Sequence, residues 1–331
     1  LTGSVVHLVN GDHAAGALAA AGLGLSPIVW RDVLHDGPVH DLAPDALARE
    51  RAAFVAAAGW GTREAVHAAF TERDRRLEAA FATADELVLW LAPGVHDQLQ
   101  RIQVLARAAR CTGRRATLRE AAIEAPAALL DGTALQAAFA RRRPVGGAAL
   151  ARALDAWLAF TSVDARDLDR LLDADDDGSP LLDAAIKRWR EEFPAAGNGL
   201  GRTERQLLEA LARGVFRARD AWVAACRHAE DQPFLADLPF ASLACRLSAC
   251  AVPLLSHPDQ RPLAMPDPTS DGRVFWNDSL LATRAGRERL AGIGDWMADA
   301  PPRWMGGVLL HGTAGWRWDP AVNRLREGPA R

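Results

Sequence analysis

Apolar runs of strand length alternate with helical periods over the first 125 residues. Residues 4–9 and SPIVW (26–30) read as strands, as do ELVLWLA (86–92) and RATLREA (115–121). Between them, HAAGALAAAG closes at Gly22 like a short helix. DALARERAAFVAAAG, REAVHAAFTERDRRLEAAFATA and VHDQLQRIQVLARAAR carry longer amphipathic periods. After Glu86 the run is continuously apolar to residue 92, as expected of a parallel strand covered on both faces. This alternation predicts an α/β domain over residues 1–125, a doubly wound parallel sheet with right-handed crossovers.

Strand signals fade from residue 126, and residues 126–198 read as a helical linking region. Within it GAALARALDAWLAFTS, ARDLDRLLD and PLLDAAIKRWREEF have helical spacing. Residues 199–331 form a third segment. RTERQLLEALARG, with Thr203 as candidate cap, RARDAWVAACRHAE and LPFASLACRLSAC predict three helices; VPLLS and VFWNDSLLATRAG follow as strand-like pieces. Three helices and then a β-ribbon is the order of a winged helix. The tail RWMGGVLLHGTAGWRWD predicts a terminal hairpin carrying Trp304, Trp316 and Trp318. Large aromatics there are expected to cover core.

With 331 residues, 49% of them hydrophobic, the chain has ample core-forming material. Its net charge of −3 announces neither nucleic acid nor an anionic membrane. Lys187 is the only lysine and Tyr is absent, which reads as GC-rich codon usage, so an isolated arginine says little about phosphate. Cys111, Cys226, Cys245 and Cys250 lack zinc spacing and read as free thiols. With no leader-like or membrane-length apolar run, a cytoplasmic protein is expected.

Ligands of open parallel sheets bind beyond the carboxyl ends of the strands. The first strand runs into Asn10, Gly11, Asp12 and His13. The second leads to Arg31, Asp32, His35 and Asp36, the third to His96, Asp97 and Gln98. Asp12, Asp32, His35, His96 and Asp97 are the candidate catalytic residues. Asn10, Gly11, Arg31, Asp36 and Gln98 are the candidate ligand contacts. Either imidazole suits proton exchange near neutral pH with a carboxylate orienting it. Asp12, Asp32 and Asp36 would alternatively suit a hard divalent cation, although no particular metal or cofactor is indicated. Taken singly, Asp12 and Asp97 also fit helix N-termini, and Asp36-Gly37-Pro38 fits a turn. GDHAAG lacks GxGxxG spacing, no P-loop is present, and His13 stands where a GDS-type serine would be.

The blocks HLVNGDHAAG, VWRDVLHDGPV, LVLWLAPGVHDQLQ, GNGLGRTERQLLEAL, RWMGGVLLHG and WRWD resemble bacterial proteins carrying domain of unknown function 1835. The resemblance runs through nearly the whole chain. It implies a Rossmann-like N-terminal domain and a helical, winged-helix-like C-terminal part, and it brings no established activity. The expected partner is a small polar or anionic molecule, a nucleotide or phosphorylated metabolite, with hydrolytic or group-transfer chemistry. The alternative is a ligand-sensing regulator whose winged-helix-like part contacts nucleic acid or protein.

Two further signals are weaker. DADDDGSP places Asp173, Asp175, Asp177 and Gly178 like the start of an EF-hand loop, but Ala184 stands where the bidentate glutamate belongs. The would-be reader helix LPFASLACRLSAC has one Arg and no Lys, Asn or Gln, a poor set for base edges. Phe240, Leu243 and Leu247 share one of its faces and are expected to be buried against protein.

Overall fold

The computed structural model describes residues 4–24, 26–174, 179–266 and 273–328. Six strands lie in the first half: β1 (Val5–Asn10), β2 (Ile28–Trp30), β3 (Gly37–Pro38), β4 (Glu86–Trp90), β5 (Thr117–Glu120) and β6 (Arg143–Pro144). All but β3 form one sheet of order β2-β1-β4-β5-β6, parallel except for the antiparallel edge strand β6. The chain leaves β1 for β2 on one side and returns to β4 on the other. The order therefore reverses between β1 and β4, the position at which open sheets offer a ligand crevice at the carboxyl ends of the strands.

Side chains alternate along these strands, sending Leu8, Leu87 and Leu89 to one face and Val9, Val88 and Trp90 to the other. Helices α1 (Gly11–Ala20), α2 (Pro44–Ala57), α3 (Arg63–Thr83), α4 (Val95–Arg110) and α5 (Gly132–Ala140) follow in the chain. The Val9 face is closed by α1 and α5 through Ala14, Leu18, Leu135 and Ala138. The Leu8 face packs on α3 and α4. Its apolar cluster continues through α6 (Gly147–Thr161), α7 (Arg166–Asp173) and α8 (Pro180–Arg190) into the carboxyl-terminal part.

That part contains α9 (Arg202–Ala212), α10 (Ala218–Val223) with a π-helical turn at Ala224–His228, and α11 (Asp237–Ser248). Phe240, Leu243 and Leu247 of α11 are buried, as their spacing predicts. The following segment differs from the expected ribbon. It forms β7 (Leu255–Ser256), α12 (Arg273–Asn277), β8 (Leu281–Ala282) and α13 (Arg284–Leu290), and only β7 and β8 pair. Thr283 accounts for the difference by capping α13 through its hydroxyl, which accepts from Gly286 N at 3.0 Å. Thr203 is not a cap. Gly201 precedes α9, and Thr203 is buried with its hydroxyl donating to Glu192 Oε1 at 2.7 Å.

The tail makes two hairpins where one was expected. The first is β9 (Arg303–Gly306) with β10 (Val308–Leu310), reversing at Gly307; the second is β11 (Trp316–Asp319) with β12 (Arg324–Glu327). Trp318 is buried and Trp304 packs edge-on to His40 at 5.1 Å, consistent with a covering role. Strand β9 also pairs in parallel with β3, setting Gly37 opposite Met305 and Pro38 opposite Gly306. Of the acidic turn, Asp175–Gly178 lie outside the described residues; Asp173 pairs with Arg324 at 2.6 Å. No described helix is long and apolar enough to cross a membrane, and all four cysteines are free.

Candidate functional site

Three strand-end segments meet at the β1–β4 crevice. Asn10 is the last residue of β1, His35 lies in the loop after β2, and His96 and Asp97 stand in the first turn of α4. Asn10 precedes α1 without capping it, and its side chain turns inward. Its Nδ2 donates to Asp97 Oδ1, and its Oδ1 lies 3.0 Å from His96 Nε2. Asp97 Oδ2 accepts from Ala92 N at 2.7 Å, and Gln98 Nε2 donates to Ala92 O at 2.8 Å. Asp97 and Gln98 thus hold the β4–α4 turn in shape.

Hydrogen-bond roles fix the histidine tautomers in this network. His96 Nε2 must carry the proton, because Asn10 Oδ1 accepts it. Gln100 Nε2, 3.1 Å from that nitrogen, spends its hydrogens on Trp30 O and Asp32 O at 3.1 and 3.0 Å. His96 Nδ1 is then an acceptor for His35 Nδ1–H at 3.3 Å. His35 Nε2 is left as a bare lone pair, buried and without a protein partner.

The electrostatics agree with two neutral rings. Burial holds His96 down to about 4 against the raising pull of Asp32. Burial lowers His35 well below the usual histidine range, and His96, Arg51 and Arg188 add to it. Burial pushes Asp97 up to about 6, although the hydrogen bonds from Ala92 and Asn10 favour its charged form.

The other candidates are placed differently. Asp12 and Arg31 are exposed and form a two-point ion pair at 3.0 and 2.5 Å, with Asp12 held below the usual carboxylate range by that hydrogen bonding. Gly11 has φ +81°, which favours glycine, and a Cβ there would meet nothing within 4 Å. Asp32 turns away from the histidines to Arg51, a fully buried guanidinium 3.0 Å from its Oδ1. Arg51 also donates to Val33 O, Asp36 O and Pro38 O, fixing the whole loop. Asp36 accepts from Gly37 N at 3.0 Å, and burial raises it. Asp12, Asp32 and Asp36 therefore make no common cation site. Among the described residues no group of three or more His, Cys, Asp or Glu is arranged to hold a metal ion.

A cavity of about 440 Å³ opens at the start of α4, lined by Gly94 and Val95, by the basic Lys187, Arg188 and Arg202, and by the acidic Glu191, Glu230 and Asp231; Asn10, His35, His96 and Asp97 do not line it. No side chain caps α4, so its first amides lack partners within the helix. Arg188 is tied to Glu230 at 2.6 Å and Glu192 at 2.7 Å, whereas Lys187 makes no ion pair among the described residues. The Phe234 ring lies between the Arg188 guanidinium, 4.6 Å away, and the His35 ring, 5.2 Å away.

Sequence reasoning missed Arg51, Gln100 and Phe234. A signal for Arg51 existed, because it occupies the buried stripe of Leu47, Ala48, Ala52 and Val55 on α2. The chain matches no known family model and no curated protein sequence.

Proposed function

We propose that the protein binds a small anionic ligand, a nucleotide or phosphorylated metabolite, in the crevice between β1 and β4. The observation that carries this reading is the meeting of Asn10, His35, His96 and Asp97 in one hydrogen-bonded network, with a 440 Å³ cavity at Gly94 and Val95, just before His96 in the chain. Polar side chains from three separate strand ends have no need to converge for folding alone, and the switch point of an open sheet is where ligands sit. The amino end of α4 supplies amide donors and a positive dipole end, and Lys187, without an ion pair among the described residues, supplies a positive charge. The parallel strands β1, β2, β4 and β5 are read as Rossmann-like, in keeping with the resemblance to the family carrying domain of unknown function 1835 and with a cytoplasmic protein. Hydrolytic or group-transfer chemistry would need a neutral imidazole as the base, and His35 Nε2 is the imidazole nitrogen of the network left without a partner.

A second reading is favoured by the order α9, α10, α11 and then the β7–β8 pair, which is that of a winged helix. In this reading ligand occupancy would be reported to a partner. Burial of Phe240, Leu243 and Leu247 makes a protein partner the better choice than DNA.

The test is thermal unfolding against a panel of nucleotides and sugar phosphates, since a ligand bound only by the folded state raises the midpoint. At least one compound is expected to raise the wild-type midpoint, and Lys187→Ala is expected to abolish the shift. No shift across the panel, or an equal shift in the variant, refutes the reading.

A further inference from the structure

A smaller cavity with about 30 Å³ of free space lies between the loop after β2 and the carboxyl-terminal part, with Phe234 on its wall. His35, Asp36, Glu192, Arg246 and Arg303 line it. His35 is 7% exposed and its Nε2 has no protein partner; Arg246 Nε and Arg303 Nε are likewise buried and unpartnered. Other nitrogens of both guanidiniums are committed. Glu204 Oε1 accepts from Arg246 Nη2 at 2.8 Å and lies 3.2 Å from Arg303 Nη1, while Arg303 Nη2 donates to Glu192 O at 2.8 Å. One acceptor and two donors on the wall of one cavity thus lack partners, a costly arrangement unless something polar enters.

Size and charge narrow what can enter. A water molecule needs about 10–15 Å³ of such space, so the cavity suits a planar carboxyl group or a pair of waters. His35 faces His96 on α4, Arg51 on α2 and Arg188 on α8. The surroundings add Asp32 and Asp36 from its own loop, Glu192 after α8, Glu204 on α9, Glu230, Arg246 on α11 and Arg303 on β9. The carboxylates already match or outnumber the guanidiniums, so a bare anion would leave unbalanced negative charge in a buried place. A proton arriving with the anion removes that penalty, and His35 Nε2 is the free lone pair that can share it.

We propose that this inner cavity binds a compact monocarboxylate together with one proton. The carboxyl oxygens accept from Arg246 Nε–H and Arg303 Nε–H, and the proton lies between the carboxyl group and His35 Nε2. No bond other than hydrogen bonds is made. The site does not depend on an anion in the outer cleft.

The experiment is titration calorimetry of the full chain with acetate, and with formate as a smaller probe, at pH 5.5 to 7.5 in buffers of different ionisation heat. Expected are one acetate per chain, uptake of one proton, and an affinity that falls about tenfold per pH unit. His35→Phe removes the acceptor and is expected to abolish acetate binding, whereas Lys187→Ala is expected to leave acetate binding intact while abolishing any nucleotide-induced thermal shift. Should His35→Phe fail to fold, Arg246→Lys keeps the charge beside Glu204, lacks the Nε–H, and is expected to weaken acetate at least tenfold. Absence of acetate binding at pH 5.5, binding without proton uptake, or binding unchanged in the variants overturns the proposal.

Discussion

Replacing Asp97 by Asn tests the electrostatics of the network directly. Asp97 stands at about 6 in the folded protein against 3.8 for the free side chain. The raised value means that its neutral form is favoured by folding. Its contribution to stability is complete below pH 3.8 and is lost as the pH rises through about 6. At about 1.36 kcal/mol per pH unit, that interval corresponds to about 3 kcal/mol. His96 acts in the opposite direction: it stands at about 4 against 6.5 and costs stability as the pH falls from 6.5 towards 4. The two slopes oppose each other between pH 4 and 6, so neither is visible in the wild type alone. Subtracting the wild-type curve from that of Asp97→Asn isolates Asp97, because the other groups cancel. The variant leaves the Asn10 Nδ2 donor facing another amide, a constant cost of about 1–2 kcal/mol. Relative to the wild type it is expected to gain about 3 kcal/mol between pH 4 and 7. Urea unfolding at half-unit pH steps reads this out, and a flat difference curve refutes the assignment of a buried, raised carboxyl.

Three further outcomes are expected. Arg51→Met strands the Asp32 charge and three carbonyls, so urea unfolding should register a loss of about 3–5 kcal/mol; a loss below 1 would mean that the loop is held otherwise. Asp12→Asn breaks only an exposed pair with Arg31 and should change stability by less than about 1 kcal/mol, with ligand-induced thermal shifts unaltered; loss of those shifts would return Asp12 to the site. Leu243→Ala should cost about 2–5 kcal/mol as a core deletion, and the wild type should show no salt-dependent retardation of DNA in a gel; strong retardation at low salt would revive a nucleic-acid role for α11.

The sheet was legible where burial is symmetrical. VVHLV and ELVLW are apolar on both faces, so their hydrophobicity marks them whatever their neighbours do. β6 was not legible, because Arg143-Pro144 is two exposed residues whose pairing with β5 is imposed by the fold. The segment 274–286 misled for a related reason: its residues are divided among α12, β8 and α13, the last of which starts at the Thr283 hydroxyl. Of the candidate site, the convergence of Asn10, His35, His96 and Asp97 followed from strand polarity alone. The outward turn of Asp12 towards Arg31 depends on how tightly α1 leaves β1, and no residue type encodes it. The arginines of the inner cavity, Arg246 and Arg303, come from the far part of the chain, and only tertiary pairing brings them to His35.

The pairing of β3 with β9 bears on how the molecule comes to exist. Gly37 packs under the Phe54 ring, where a Cβ would lie 2.4 Å from it, so the loop carrying His35 tolerates one backbone path there. That path is completed by hydrogen bonds such as Val39 N to Gly306 O at 2.9 Å. During synthesis the loop at residues 31–39 must wait until residues 303–306 have emerged before its partner strand arrives. So long a closure is slow and exposes unpaired edges meanwhile. The histidine pair is therefore among the last features to be set, and a chain stopped short of residue 303 would carry the sheet without a finished site.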